Sequence, residues 1–205
     1  MLAILTGTGL AASAGLNAYI PLLVIGLLAR YTSLINLPHG WDWLSNGWVL
    51  VILGVLLTVE VVADKVPAVD SVNDLLQTVV RPTAGGLAFG AGSSSKTVTV
   101  SDPGSFFTSK QWVPIAAGIV IALGMHLGKA GARPVINTFT GGLGAPVAST
   151  AEDATSAVMS IVAIVVPILV VVFLIALVVV FWLLRRRRAR RRAARQAARV
   201  TAGRT

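Results

Sequence analysis

Ionisable residues set against uncharged stretches are the groups in this chain whose type and spacing could do chemistry. Glu60 and Asp64 lie four apart at the end of an uncharged run over 43–59, so a helix places both carboxylates on one face. His126, Lys129 and Arg133 follow at intervals of three and four at the end of a second uncharged run, 111–128. Glu152 and Asp153 open a third, 154–184. At the centre of a bilayer an ionisable group costs about 2.5–3.5 kcal/mol, so it pairs with an opposite charge and commonly marks an ion or proton path. The signs here predict that the clusters meet, with Glu60 or Glu152 against Lys129 and Arg81 against Asp70 or Asp74. Asn17, Glu60, Asp64, Lys65, Asp70, Arg81, His126, Lys129, Arg133, Glu152 and Asp153 together form a candidate polar path or ion-pair cluster. The plainer alternative is anchoring: charged groups at helix ends reach back to the interface, and acidic residues suit a helix N-terminus.

Asn17 is uncharged, yet an amide within an apolar helix needs a partner, and Pro21 frees the Asn17 carbonyl. An interhelical hydrogen bond satisfies it simply; a polar site in a broken helix is the sharper reading. Other chemistries find no support. There is no cysteine, and the two histidines, His39 and His126, are too few for a histidine metal site. The glycines near Gly85 and Gly141 form no phosphate loop, and no nucleophile sits beside a base. The sequence therefore predicts neither an enzyme nor a cofactor.

The elements that must hold these groups are helices in lipid. Of 205 residues 55% are apolar and 12% charged, with a mean hydropathy of +0.81; soluble domains carry about 25% charge. A bilayer core takes roughly 20 apolar residues per helix. The reading is an all-α polytopic membrane protein, a bundle of four transmembrane helices near 5–30, 47–64, 111–130 and 154–184, with five as the alternative. Pro167 predicts a kink in the last of them. Ala12-Ser13-Ala14 has the look of a signal-peptide cleavage site, but no basic residue precedes it, so a retained first helix is preferred.

Between the second and third spans, Pro67 predicts a helix end and Ser71 to Asp74 a capping box. A short amphipathic helix over 70–81 follows. Its apolar face carries Val72, Leu75, Leu76, Val79 and Val80; its polar face carries Asp70, Asn73, Asp74, Gln77 and Arg81. The glycine-rich 82–95 reads as a re-entrant segment or an extra helix. A second capping box, Ser149 to Glu152, predicts that the last helix starts near Thr150. Gly7, Gly9, Ala11, Ala12, Ser13, Ala14 and Gly15 predict a close-packing face on the first helix.

The formal charge of +9 belongs to the tail: ten arginines lie between positions 185 and 204, and the rest has seven basic and eight acidic residues. Arg185, Arg186, Arg187, Arg188, Arg190, Arg191 and Arg192 follow the last span directly. The positive-inside rule puts residues 185–205 in the cytoplasm, beside anionic headgroups, where each arginine is worth about 1 kcal/mol. Membrane lipid is thus the expected partner of the tail. Nucleic acid is disfavoured, since no aromatic residue is interleaved for base stacking.

Ala14 to Pro21, Ala63-Asp64-Lys65-Val66-Pro67-Ala68-Val69-Asp70 and Arg81-Pro82, then His126, Lys129, Arg133 and Asn137 followed by Glu152-Asp153, resemble Domain of Unknown Function 4126, a bacterial membrane-protein family. The resemblance runs to about residue 184. It implies a multi-helix protein of the bacterial inner membrane with no assigned activity. Two functions compete: a small transporter or channel-like protein whose path the polar residues line, and a scaffold or accessory subunit, homo-oligomeric or bound to another membrane protein, whose ion pairs only hold the bundle.

Overall fold

The computed structural model describes residues 2–37, 40–65, 67–93, 112–140 and 144–172, with 175, 176, 178, 179, 182 and 186; among these are six α-helices and a 3-10 turn, with further helical residues after 167. No strand occurs among the described residues. Residues 1–170 form one compact unit and 171–205 another.

The sequence reading placed one helix over 5–30; the structure has two, α1 (Leu2–Leu16) and α2 (Tyr19–Tyr31). The break falls at Asn17. Its backbone amide still reaches the Ser13 carbonyl at 3.0 Å, but its side-chain oxygen accepts from the amides of Tyr19 (3.1 Å) and Ile20 (3.2 Å). That local bond competes with the helical ladder and starts a new helix. Pro21 then lies in the first turn of α2, where a missing amide costs nothing.

The 3-10 turn Asp42–Ser45 leads into α3 (Gly47–Ala63), capped by the Asn46 side chain on the Trp48 amide at 2.9 Å. Next, α4 (Pro67–Gly92) is a single helix of 26 residues where the sequence suggested a short amphipathic helix and a separate glycine-rich segment. Pro67 opens it rather than ending its predecessor, as proline fits a first turn. Pro82 removes one donor within it. Burial of Ala84, Gly85, Gly86, Ala88 and Phe89 carries the helix through that point.

The last two helices of this unit are α5 (Trp112–Thr140) and α6 (Gly144–Val165). α6 starts ahead of the predicted Thr150, with the Gly144 amide donating to Thr140 Oγ1 at 2.9 Å. It breaks at Val166 and Pro167, and 168–170 are helical again. Among the described residues, two stretches are long and apolar enough to cross a membrane, Trp112–Arg133 and Pro146–Val165; α1, α2 and α3 are shorter apolar helices. That is fewer than the four or five spans of the sequence reading, because the first run is divided and the second is 17 residues long.

α1 packs against α2, α4, α5 and α6. Its small residues Gly7, Gly9, Ala11, Ala12, Ser13, Ala14 and Gly15 are all buried. A Cβ on Gly9 would lie 2.6 Å from Ala163 Cβ and 2.7 Å from Val170 Cγ2, so only glycine permits this approach. In the second unit the described residues are helical, and the Arg186 guanidinium lies 5.1 Å from the Trp182 ring. Arg185, Arg187, Arg188, Arg190, Arg191 and Arg192 lie outside the described residues, as does 94–111.

Candidate functional site

Residues from four helices meet in one buried ion network at the end of α1 that carries Leu16. Asp64, the C-cap of α3, is its hub. Asp64 Oδ2 lies 3.2 Å from Lys129 Nζ, 3.0 Å from Arg133 Nη2 and 3.7 Å from Arg81 Nη2, and accepts from Ser149 Oγ at 3.3 Å. Asp64 Oδ1 takes the Asn73 amide at 2.6 Å. Glu60, one turn earlier on α3, pairs with Arg81 Nη2 at 2.8 Å. Glu152 on α6 pairs with Lys129 at 2.8 Å and with Arg133 at 3.6 Å. Glu60, Asp64, Arg81, His126, Lys129 and Arg133 are all buried, which charged side chains tolerate only when paired.

The partners of His126 decide its tautomer. Arg81 Nη1 lies 3.3 Å from Nδ1, and an arginine can only donate, so Nδ1 accepts. Nε2 then carries the hydrogen and donates to Thr78 Oγ1 at 3.1 Å. His126 is thereby a neutral spacer that holds the Arg81 guanidinium against Glu60. The three cations Arg81, Lys129 and Arg133 balance the three carboxylates Glu60, Asp64 and Glu152.

The break in α1–α2 adjoins this network. Lys129 Nζ also donates to the Leu16 carbonyl at 3.3 Å, at the negative end of the α1 dipole. Asn17 Nδ2 donates to Asp153 Oδ1 at 2.9 Å. One amide therefore caps α2 and binds α6. Asn17→Ala is expected to lower stability by about 1–3 kcal/mol, read as the unfolding midpoint in mild detergent. Asn17→Asp keeps the cap but sets a carboxylate against Asp153, so it should not restore the midpoint.

With this arrangement in view, the comparison with known families is decisive: the family described as a domain of unknown function, DUF4126, matches residues 4–187. The chain belongs to that family. No curated protein and no solved structure matches it. The segment that matches DUF4126 contains every residue of the network.

Among the sequence candidates, Asn17, Glu60, Asp64, Arg81, His126, Lys129, Arg133, Glu152 and Asp153 are brought together here. Lys129 pairs with Glu152 and Asp64, not with Glu60. Arg81 pairs with Glu60 and Asp64; the side chains of Asp70 and Asp74 lie outside what the structure describes. Lys65 stands apart, exposed, with Nζ 3.4 Å from the Val61 carbonyl. Sequence reasoning missed Asn73, Thr78 and Ser149. Ser149 had been given to a capping box, yet it lies one turn before Glu152, a spacing that puts both on one face of α6.

Proposed function

We propose that this chain is a polytopic integral membrane protein and that the buried ion network forms the polar path of a small ion transporter. The observation that carries the membrane reading is the inversion of α4. Its polar Arg81 and Gln77 point inward, 0% and 3% exposed, while Leu75, Leu76 and Val79 are 73%, 62% and 71% exposed. α3 follows suit: Val51, Ile52, Val55, Val59 and Val62 face outward, and Leu50, Leu53 and Glu60 inward. Water would reverse both arrangements; a hydrocarbon solvent favours them. The transport reading draws on the interrupted helix at Asn17, whose two ends meet a lysine and a carboxylate. Half-helix ends placed against ions inside a bundle are how many transporters build their sites.

On this reading the protein resides in the bacterial inner membrane, its arginine tail in the cytoplasm against anionic headgroups, and it catalyses no reaction. The closed pairing of three cations with three carboxylates favours a second reading, a scaffold whose ions only hold the bundle. Flux from purified protein in liposomes separates the two, with protons, sodium and potassium measured in turn. Glu60→Gln/Lys129→Ala removes one charge of each sign and keeps the network neutral. At equal incorporation this variant is expected to lose at least tenfold of the wild-type flux. A wild type that carries none of these ions, with a variant that is merely less stable, would establish the scaffold.

A further inference from the structure

The end of α1 away from the ion network opens on a pocket of about 270 Å³. Thr6 and Leu10 reach it from α1, Ile25 from α2, Asn36 from the segment after α2, Ala91 from the end of α4 and Ile164 from α6. Its floor is apolar and closed, with Leu10, Ile25 and Ala91 buried. Leu2 and Leu34 stand at its mouth, 60% and 64% exposed. None of the residues that line it is ionisable.

Two neutral polar side chains enter this pocket uncommitted. Thr58, Thr83, Thr150 and Thr155 return their hydroxyls to the carbonyl four residues earlier, at 2.7–2.9 Å. Thr6 makes no such bond, and the hydroxyl of this half-buried residue has no hydrogen-bond partner among the described residues. The side-chain amide of Asn36, an exposed residue at the mouth, has none either.

We propose that this pocket binds an uncharged single-chain amphiphile with a hydroxyl head, of the monoacylglycerol kind, its head on Thr6 and Asn36 and its chain over Leu10, Ile25 and Ile164. The site lies at the far end of α1 from the network, so it goes beyond the transport reading and rests only on the membrane one. That reading supplies the route, since the apolar side chains at the mouth face hydrocarbon and a ligand dissolved in the bilayer enters past them. A chain gains little by exchanging lipid for leucine and isoleucine, so the head decides what binds. Threonine and asparagine each donate and accept, and a hydroxyl answers both. In surroundings of low dielectric such bonds are stronger than in water. A carboxylate or phosphate head would be left there without a counter-ion. Ordinary small-molecule sites hold about 300–1,000 Å³, and this smaller one takes a head and part of one chain but not a two-chain lipid.

The test uses the full chain in phosphatidylcholine vesicles, carrying Trp43→Phe, Trp48→Phe, Trp112→Phe and Trp182→Phe, all at exposed positions. Trp41 remains as the reporter, buried and packed on Gly90, next to Ala91 of the pocket wall. The probe is a monoacylglycerol with a brominated chain, which quenches tryptophan on contact. Quenching of Trp41 is expected to saturate as the probe is added and to be reversed by the unbrominated monoacylglycerol. Thr6→Val/Asn36→Leu removes both polar groups and should weaken binding about tenfold, the effect of two neutral hydrogen bonds. Ala3→Phe fills the pocket from the half-buried first turn of α1 and should abolish saturation; it serves if the double variant misfolds. Quenching that never saturates, or that both variants retain, overturns the site and leaves the transport reading standing. Equal quenching by brominated phosphatidylcholine or by a brominated fatty acid carboxylate does the same, since neither has a neutral hydroxyl head. A chain that does not float with the vesicles overturns the membrane reading and the site together.

Discussion

Asp64→Ala is expected to be the most damaging single substitution in this protein. One carboxylate, at the last turn of α3, binds groups from three other helices: Asn73 and Arg81 on α4, Lys129 and Arg133 on α5, and Ser149 on α6. Alanine removes a negative charge and leaves three buried cations facing two carboxylates. Breaking a buried ion pair from one side costs about 3–5 kcal/mol, because the abandoned charge stays desolvated. Here the abandoned groups repel one another as well. The expected result is a fall of that size in unfolding free energy in mild detergent, with a matching drop in the yield of folded protein. Asp64→Asn tests the cause, since it keeps the shape and one acceptor oxygen but not the charge. If charge balance is what matters, asparagine will lie near alanine. Lys65→Ala, at the exposed neighbour, should change stability by less than about 0.5 kcal/mol. An Asp64→Ala protein within 1 kcal/mol of wild type would show that the cations find other partners.

The residues of the network were legible in the sequence, but its wiring was not. Charges at intervals of three and four on apolar helices are visible without coordinates, and Glu60, Asp64, His126, Lys129, Arg133 and Glu152 stood out on that ground alone. Partner choice depends on how far one helix slides along another, and spacing within a helix carries no such information. Arg81 was thus assigned to acids on its own helix, where Asp70 and Asp74 are close in sequence. The structure shows it meeting Glu60 and Asp64 on α3, and the side chains of Asp70 and Asp74 lie outside the described residues. The amphipathic pattern of α4 was equally plain, but which of its faces turns inward was not. A pattern fixes two faces; the surrounding solvent decides which of them is buried. Helix limits suffered from prolines for a related reason. Pro67 read as a terminator, yet it opens α4, and Pro82, just past the expected end of the amphipathic helix, is carried through by packing that only the tertiary structure supplies.

That inward turn of α4 also explains why its glycines matter. Packing a polar face against α5 brings the two backbones into contact, and the register is constant along the seam: Phe89 beside Gly118, Gly85 beside Ala122, Arg81 beside His126. Each step moves four residues along α4 and four the other way along α5. Position 118 therefore sets the height at which Arg81 meets its histidine, two steps away. A Cβ on Gly118 would collide with the Gly85 carbonyl oxygen and lie 2.6 Å from Phe89 Cβ. Neither neighbour is the end of a flexible side chain, so the helices must part.

Gly118→Val is accordingly expected to cost about 3 kcal/mol or more, at or beyond the upper end for overpacking, and to move Arg81 away from His126. Gly124→Ala is the contrast on the same helix. Its Cβ would meet nothing within 4 Å, and alanine favours the helix, so stability should hold or rise by up to about 1 kcal/mol. Unfolding midpoints of the two variants, measured side by side in one detergent, give the comparison. Ion flux adds a second reading, because a displaced Arg81 leaves Glu60 without its counter-ion. Equal midpoints for the two glycine variants would mean that the seam is looser than its backbone contacts require, and that the network is held by its charges alone.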